Sequence, residues 1–141
     1  MFLSIIDKIW WGHKLEVKLD GSSISASDIH PTIDGDALDI DFLTNSLTYI
    51  DAAGVINKEK EMYISLLNRS HDKELDFEIL APEGYQFDSM WGVSHKDINA
   101  ENSANNRFNI VPFQKTLKKG KAFKDSLLPT ALSIVKLIPK K

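Results

Sequence analysis

The sequence predicts a mostly β protein, an antiparallel sandwich or barrel with one short helix at its N-terminus. Apolar residues alternate with charged ones through several short segments, turn-forming residues recur at intervals of about ten, and the first dozen residues alone carry a helical period. The 141 residues are enough for one domain with a single hydrophobic core, burying roughly 70% of the surface of the unfolded chain. A hydrophobic fraction of 43% and a charged fraction of 26% are those of an ordinary globular protein.

Phe2, Ile5, Ile6 and Ile9 recur at helical spacing, and Leu3 and Trp10 widen the stripe, so a helix is expected to end at Gly12. Such a short helix needs something to pack on. Beyond it the period falls to two. "KLEVKLDG" alternates Leu15, Val17 and Leu19 with Glu16 and Lys18, and "ALDIDF" alternates Leu38, Ile40 and Phe42 with Asp39 and Asp41. Strands are expected next at "LTYIDAAGVI", at "EMYISLLN" and at "ELDFEIL", the last two separated by "RSHDK", a connection of hairpin length. Pro82-Glu83-Gly84 marks a turn, a short strand is expected near "SMWGVS", and "FNIVPF" is extended at best because Pro112 has no N–H to donate. The apolar, β-branched "TALSIVKLI" reads as a buried closing strand.

Composition narrows the function classes. With no cysteine there is no disulfide framework, thiolate nucleophile or Cys-based zinc site, which fits a reducing, cytoplasmic setting. A net charge of −3, with basic residues gathered only around Lys115 to Lys124, gives little case for nucleic acid. "MFLSIIDKIWWG" is interrupted by Asp7 and Lys8, lacks a cleavage site and is too short to span a bilayer, so neither a signal peptide nor a membrane segment is expected. Asn68-Arg69-Ser70 matches the glycosylation sequon and reads as accidental.

The search for chemistry finds no catalytic motif. Asp39, Asp41, Asp76 and Glu78 fall on the polar faces of alternating strands and read as solvated surface. The histidines at positions 13, 30, 71 and 95 lack the spacing that sets two imidazoles on one helix face, so no metal and no cofactor is expected. Asp97, Glu101 and His95 are the local trio that an unrecognised small enzyme would use. Trp10 and Trp91 are assigned to core packing, while Trp11 and Tyr85 are the aromatic candidates for stacking on a sugar. "DINAENSANNRFNIVP" is the densest polar stretch, with five asparagines among the eleven residues from Asn99 to Asn109. Asn and Asp side chains bond their own backbone, so the amides are expected to shape the connection rather than recognise a ligand.

Several of these pieces resemble one family. Tyr49 to Ala52, Leu67 to Arg69 and Leu75 to Leu80 look like the "Y-[ILV]-D-A" run, the "[VL]-N-R" turn and the charged alternating strand of the α-L-arabinofuranosidases of glycoside hydrolase family 51. Asp97, Ile98, Asn99, Ala100, Asn102 and Ser103, followed by Val111 and Pro112, resemble its "D-L-N-A-x-N-[ST]" signature and "V-x-P" end, and "TALSIVKLI" is similar to its closing strand. The resemblance covers about Phe42 to Ile138.

The family joins a catalytic (α/β)₈ barrel to a C-terminal jelly-roll β-sandwich, and the resemblance falls in the sandwich. It implies that residues 14–141 are such a sandwich, and that residues 1–13 correspond to the last barrel helix. It further implies an accessory domain of an enzyme that hydrolyses terminal α-L-arabinofuranosyl residues. No position matches either catalytic glutamate, so no catalytic role is carried over. The implied partners are a barrel polypeptide, a second copy through the first helix, or an arabinose-containing polysaccharide, and the alternative is a free carbohydrate-binding module. Ala104-Asn105-Asn106-Arg107 departs from the family's proline-containing turn, and the strand that the family's sandwich takes from the enzyme's N-terminus is absent.

Overall fold

The computed structural model describes residues 13–15, 23–25 and 46–141, with side chains from Tyr49 onward. Among the described residues ten strands run in chain order as β1 His13–Leu15, β2 Ser23–Ser25, β3 Ser46–Thr48, β4 Ile50–Ile56, β5 Met62–Asn68, β6 Leu75–Leu80, β7 Tyr85–Val93, β8 Phe113–Thr116, β9 Ala122–Leu127 and β10 Leu132–Pro139. Every pairing among them is antiparallel. The chain divides into two compact units, one of Met1–Val17 with Ile50–Lys141 and one of Lys18–Tyr49. In the smaller, β2 pairs β3. The larger holds a six-stranded sheet of order β1-β4-β5-β10-β7-β8 and the pair β6-β9.

The pair β6-β9 packs on one face of the six-stranded sheet. Phe87, Met90, Leu117, Val135 and Leu137 form a buried cluster against which Ile64, Phe77, Ile79 and Phe123 pack, and Leu66, Leu127 and Ala131 extend it. Phe123 stands near the centre, with the Phe77 and Phe87 rings each 5.7 Å away in edge-on and tilted arrangements. The alternation read in "ELDFEIL" is what makes this possible: Phe77 and Ile79 turn inward while Asp76 and Glu78 stay exposed. The opposite face of the large sheet holds a second cluster of Tyr63, Trp91 and Ile134, as expected of Trp91. Strand β10 is therefore buried on both faces, which explains its unbroken apolar reading.

Several expectations need correction. The stretch from Leu47 to Ile56 is two strands, broken at Tyr49, with β3 paired to β2 and β4 paired to β1 and β5. "RSHDK" is not a hairpin loop: β5 pairs with β4 and β10, whereas β6 pairs with β9, so the segment carries the chain from one sheet to the other. The strand near "SMWGVS" runs the whole way from Tyr85 to Val93. Its register against β10 shifts where Lys136 faces Ser89 and Leu137 faces Phe87, leaving Asp88 unopposed. That bulge puts Phe87 and Met90 on the same face although they are three apart, which hides the period of two.

Strands β8 and β9 escape sequence reading because their lysines blur the pattern. In the fold Lys124 pairs with Glu78 at 3.0 Å and Lys115 pairs with Asp125, so part of the basic run is neutralised by neighbouring strands. The turn at Pro82-Glu83-Gly84 forms as expected, with Tyr85 N–H bonded to Pro82 O at 3.1 Å and Gly84 at φ 83°. The segment expected to be helical, residues 1–12, lies outside the described residues, as does "ALDIDF"; His13 itself begins β1.

Candidate functional site

Two polar constellations stand out. The first surrounds Glu61, at the end of the turn joining β4 to β5. Its Oε1 receives Lys136 Nζ at 2.7 Å, and its Oε2 accepts from Tyr63 Oη at 2.8 Å and Asn57 Nδ2 at 2.9 Å. Asn57 Oδ1 in turn accepts the Glu61 N–H at 2.9 Å. Lys136 lies opposite Tyr63 and Ser89 in the sheet register, so one row across β5, β10 and β7 builds most of the cluster. Asp88, on the bulge, is 3.9 Å from Lys136 Nζ and accepts from Ser89 Oγ at 2.7 Å.

Lys136 is the single charged residue within "TALSIVKLI", and its side chain is only 14% exposed. A cation so placed requires a carboxylate. Burial by itself raises the Glu61 carboxyl, but the bonds from Lys136, Asn57 and Tyr63 outweigh it and hold the group down at about 2. The Tyr63 phenol is pushed above its ordinary value, first by burial and then by its bond to the Glu61 carboxylate. A glycosidase acid must hold a proton at neutral pH, and a nucleophile needs a free lone pair facing a cleft. Glu61 has no proton to deliver and three donors on its oxygens. The cluster stitches the β4–β5 turn to β10; it does not perform acid chemistry.

The second constellation is the asparagine-rich connection from β7 to β8. Asn102 makes a reciprocal pair with Ile110, its Nδ2 donating to the carbonyl at 2.9 Å and its Oδ1 accepting the N–H at 2.7 Å. Asn109 Nδ2 donates to Glu101 O at 3.1 Å, which closes the loop a second time beside the first. The Asn106 N–H is bonded to Ser103 Oγ at 3.1 Å. Within this chain, then, Asn102 and Asn109 are spent on loop closure, as expected for amides that shape a connection.

The sequence candidates are dispersed. Asp97 Oδ1 accepts the Asn99 N–H at 2.9 Å, and His95 Nδ1 accepts the Asp97 N–H at 3.0 Å, so both serve local turns on exposed backbone. Glu101 is exposed. Tyr85 is half-buried and packs against the Phe87 cluster. Trp11 lies outside the described residues. Among the described residues no group of three His, Cys, Asp or Glu side chains could hold a metal ion. No helix among them is long and apolar enough to cross a membrane.

Sequence reading missed the role of one of the two most buried polar residues described. Asn68, 1% exposed, donates through Nδ2 to the carbonyls of Lys73, Leu127 and Leu128 at 2.8, 3.1 and 3.0 Å, and accepts the Ser70 N–H through Oδ1 at 2.8 Å. It locks the crossover after β5 onto the end of β9. The sequon at this position is thus a structural amide, with no nitrogen left to carry a glycan. Beside its exposed polar residues the loop also exposes apolar ones: Ile98, Phe108 and Val111 are 47%, 81% and 51% exposed.

Every pairing among the described strands is antiparallel. Solved structures of family 51 α-L-arabinofuranosidases contain this fold. The enzyme of Thermotoga petrophila matches with a TM-score of 0.56 at 18% identity, over 66% of this chain and 20% of its own. The arabinose complex of the Thermotoga maritima enzyme matches at 0.57 and 20% identity, over 64% and 20%. That of Xanthomonas axonopodis pv. citri matches at 0.56 and 14%, over 65% and 19%. This chain therefore corresponds to a part of those enzymes and spans about a fifth of their length, and at these identities the likeness is one of fold. No protein-family model and no curated protein matches the sequence.

Proposed function

We propose that this chain is the C-terminal jelly-roll sandwich of a family 51 α-L-arabinofuranosidase, an accessory domain that has no hydrolytic activity of its own. The observation that carries the reading is the partial match: about two thirds of this chain against about a fifth of each enzyme. The ordered motifs from Tyr49 to Pro112 support it independently of the fold, because Asn68 and Asn102, which the motifs contain, are the residues that lock two connections in place. Glu61, the most constrained carboxylate described, is neutralised by Lys136 and supports a structural role.

On this reading the partner is a catalytic (α/β)₈ barrel, on the same polypeptide or another, in the cytoplasm. A hydrogen-bonded loop exposing Phe108 suits a protein contact. The test uses a family 51 barrel expressed without its sandwich. Added in excess, the chain is expected to co-elute with the barrel and raise its Tm. Independent elution with an unchanged Tm counts against the proposal. Saturable quenching of tryptophan fluorescence by arabinan or arabinoxylan would instead favour a free carbohydrate-binding module.

A further inference from the structure

Lysines that are scattered in the sequence are gathered by the fold at one end of the larger unit. Pro139 of β10 lies opposite Tyr85 of β7, Leu137 opposite Met62 of β5, Ser89 opposite Thr116 of β8, and Leu80 of β6 opposite Ala122 of β9. The β4–β5 turn, the β6–β7 turn, the β8–β9 connection and the residues after β10 therefore leave from the same end. Backbone bonds tie the last three together. Lys140 N–H donates to Gly84 O at 2.7 Å, Ala81 N–H to Lys121 O at 2.7 Å, and Leu117 N–H to Asp88 O at 2.9 Å.

Lys58 and Lys60 come from the β4–β5 turn, Lys118, Lys119 and Lys121 from the β8–β9 connection, and Lys140 and Lys141 follow β10; all are exposed. Among the described residues none of them makes an ion pair, in contrast to Lys115, Lys124 and Lys136. Against them stand Glu59 and Glu83, because Glu61 is taken up by Lys136. A chain of net charge −3 thus presents a positive end. Lys60 adds an independent sign. Its φ is 64°, a conformation that glycine adopts without steric cost, so the turn itself does not call for a lysine there.

The shape of this end restricts its partner. From β4 to β8 the large sheet spans about 19 Å at the usual strand spacing, and the pair β6-β9 adds a second layer about 10 Å away. The positive area is a plane rather than a line, and Leu80, 68% exposed at the end of β6, stands within it. Among the described residues no arginine and no exposed aromatic ring lie there, so the stacking platforms of a single-stranded nucleic-acid site are missing. We propose that this end docks on an anionic lipid bilayer, with the lysines against head-group phosphates and Leu80 at the acyl boundary. Such attachment is peripheral and needs no spanning segment. The surface does not depend on the accessory-domain reading, and the connection that bears Phe108 leaves from the other end of β7, beyond Val93.

Sedimentation of the full chain with vesicles tests it. The chain is expected to sediment with vesicles of phosphatidylglycerol and phosphatidylcholine in equal parts, less so as salt rises, and not with vesicles of phosphatidylcholine alone. No partition, or equal partition into both, overturns the proposal. Lys118→Gln, Lys119→Gln and Lys121→Gln together should lower partition roughly a hundredfold, about fivefold per lysine, with Tm unchanged because all three side chains are exposed. Lys60→Gly should keep or raise Tm yet weaken partition about fivefold, a split that a lysine kept for its turn would not produce. Leu80→Ser should weaken partition about tenfold and leave any binding of poly(U) RNA unaltered. Unchanged partition in the triple lysine variant overturns the proposal. So does tighter binding of poly(U) than of vesicles at matched phosphate concentration, with Leu80→Ser without effect on the vesicles.

Discussion

Replacing Asn68 with alanine should be the most damaging single polar substitution in this fold. The amide is 1% exposed, and its removal strips the Leu127 carbonyl and the Ser70 N–H of buried partners. Each buried group left unpaired costs roughly 1–3 kcal/mol. The carbonyls of Lys73 and Leu128 lie at part-buried positions, where water can replace the lost donor, so they add less. A loss of about 4 kcal/mol follows, a large share of the roughly 5–15 kcal/mol that holds a domain together. Urea unfolding followed by circular dichroism should show the midpoint falling with the slope unchanged. Asn68→Asp should be at least as costly at neutral pH, because it sets a carboxylate against three carbonyl oxygens. A loss below about 1 kcal/mol for Asn68→Ala would refute the claim that this side chain locks the crossover to β9.

Other perturbations separate the remaining parts of the account. The Glu61 carboxyl is held at about 2, below the 4.5 of a free side chain. Its contribution is therefore complete above about pH 4.5 and is lost as pH falls from there toward 2. After allowing for solvent screening that contribution is on the order of 2 kcal/mol. Glu61→Gln should lower stability at neutral pH by that amount and flatten the loss between pH 5 and 2; parallel acid profiles would contradict the clamp. At Gly92 an added Cβ would meet the Phe113 ring at 2.5 Å and Leu132 O at 3.0 Å, so Gly92→Ala should cost about 1–3 kcal/mol by thermal melting. Phe108→Ser should leave Tm nearly unchanged, since the ring is 81% exposed, yet weaken co-elution with a barrel if that loop is the contact. Asn102→Ala should speed proteolysis between Asp97 and Pro112 without a matching fall in global stability, because its bonds close only that loop.

The sequence was legible where one physical rule governed a segment. "ELDFEIL" obeys a period of two because one face meets the core and the other meets water, and β6 follows it. "TALSIVKLI" is apolar throughout because β10 is covered on both faces. The asparagine-rich connection was readable because its amides act on backbone close by in sequence. Reading failed where two rules met or where a partner was distant. The bulge at Asp88 shifted the period within β7. Lysines in β8 and β9 stood out only as a basic cluster, and their partners Glu78 and Asp125 lie on strands the sequence does not place beside them. The break at Tyr49 separates two compact units and carries no proline or glycine to announce it. Lys136 was a visible clue, one cation in an apolar strand, but its partner Glu61 lies far away along the chain. Asn68 stood out in sequence as part of a sequon and of the Leu67 to Arg69 resemblance, but two of the carbonyls it serves, those of Leu127 and Leu128, are again distant. The resemblance to family 51 grouped these pieces before their contacts were known, and the match of fold to those enzymes agrees with it.

On the proposed reading this chain supports a catalyst without being one. Its most direct test is hydrolysis of an aryl α-L-arabinofuranoside by the purified chain, with Glu61→Gln and Asp97→Ala variants as controls. No release above the uncatalysed rate is expected from any of the three proteins. Turnover by the unmodified chain that is lost in either variant would contradict it.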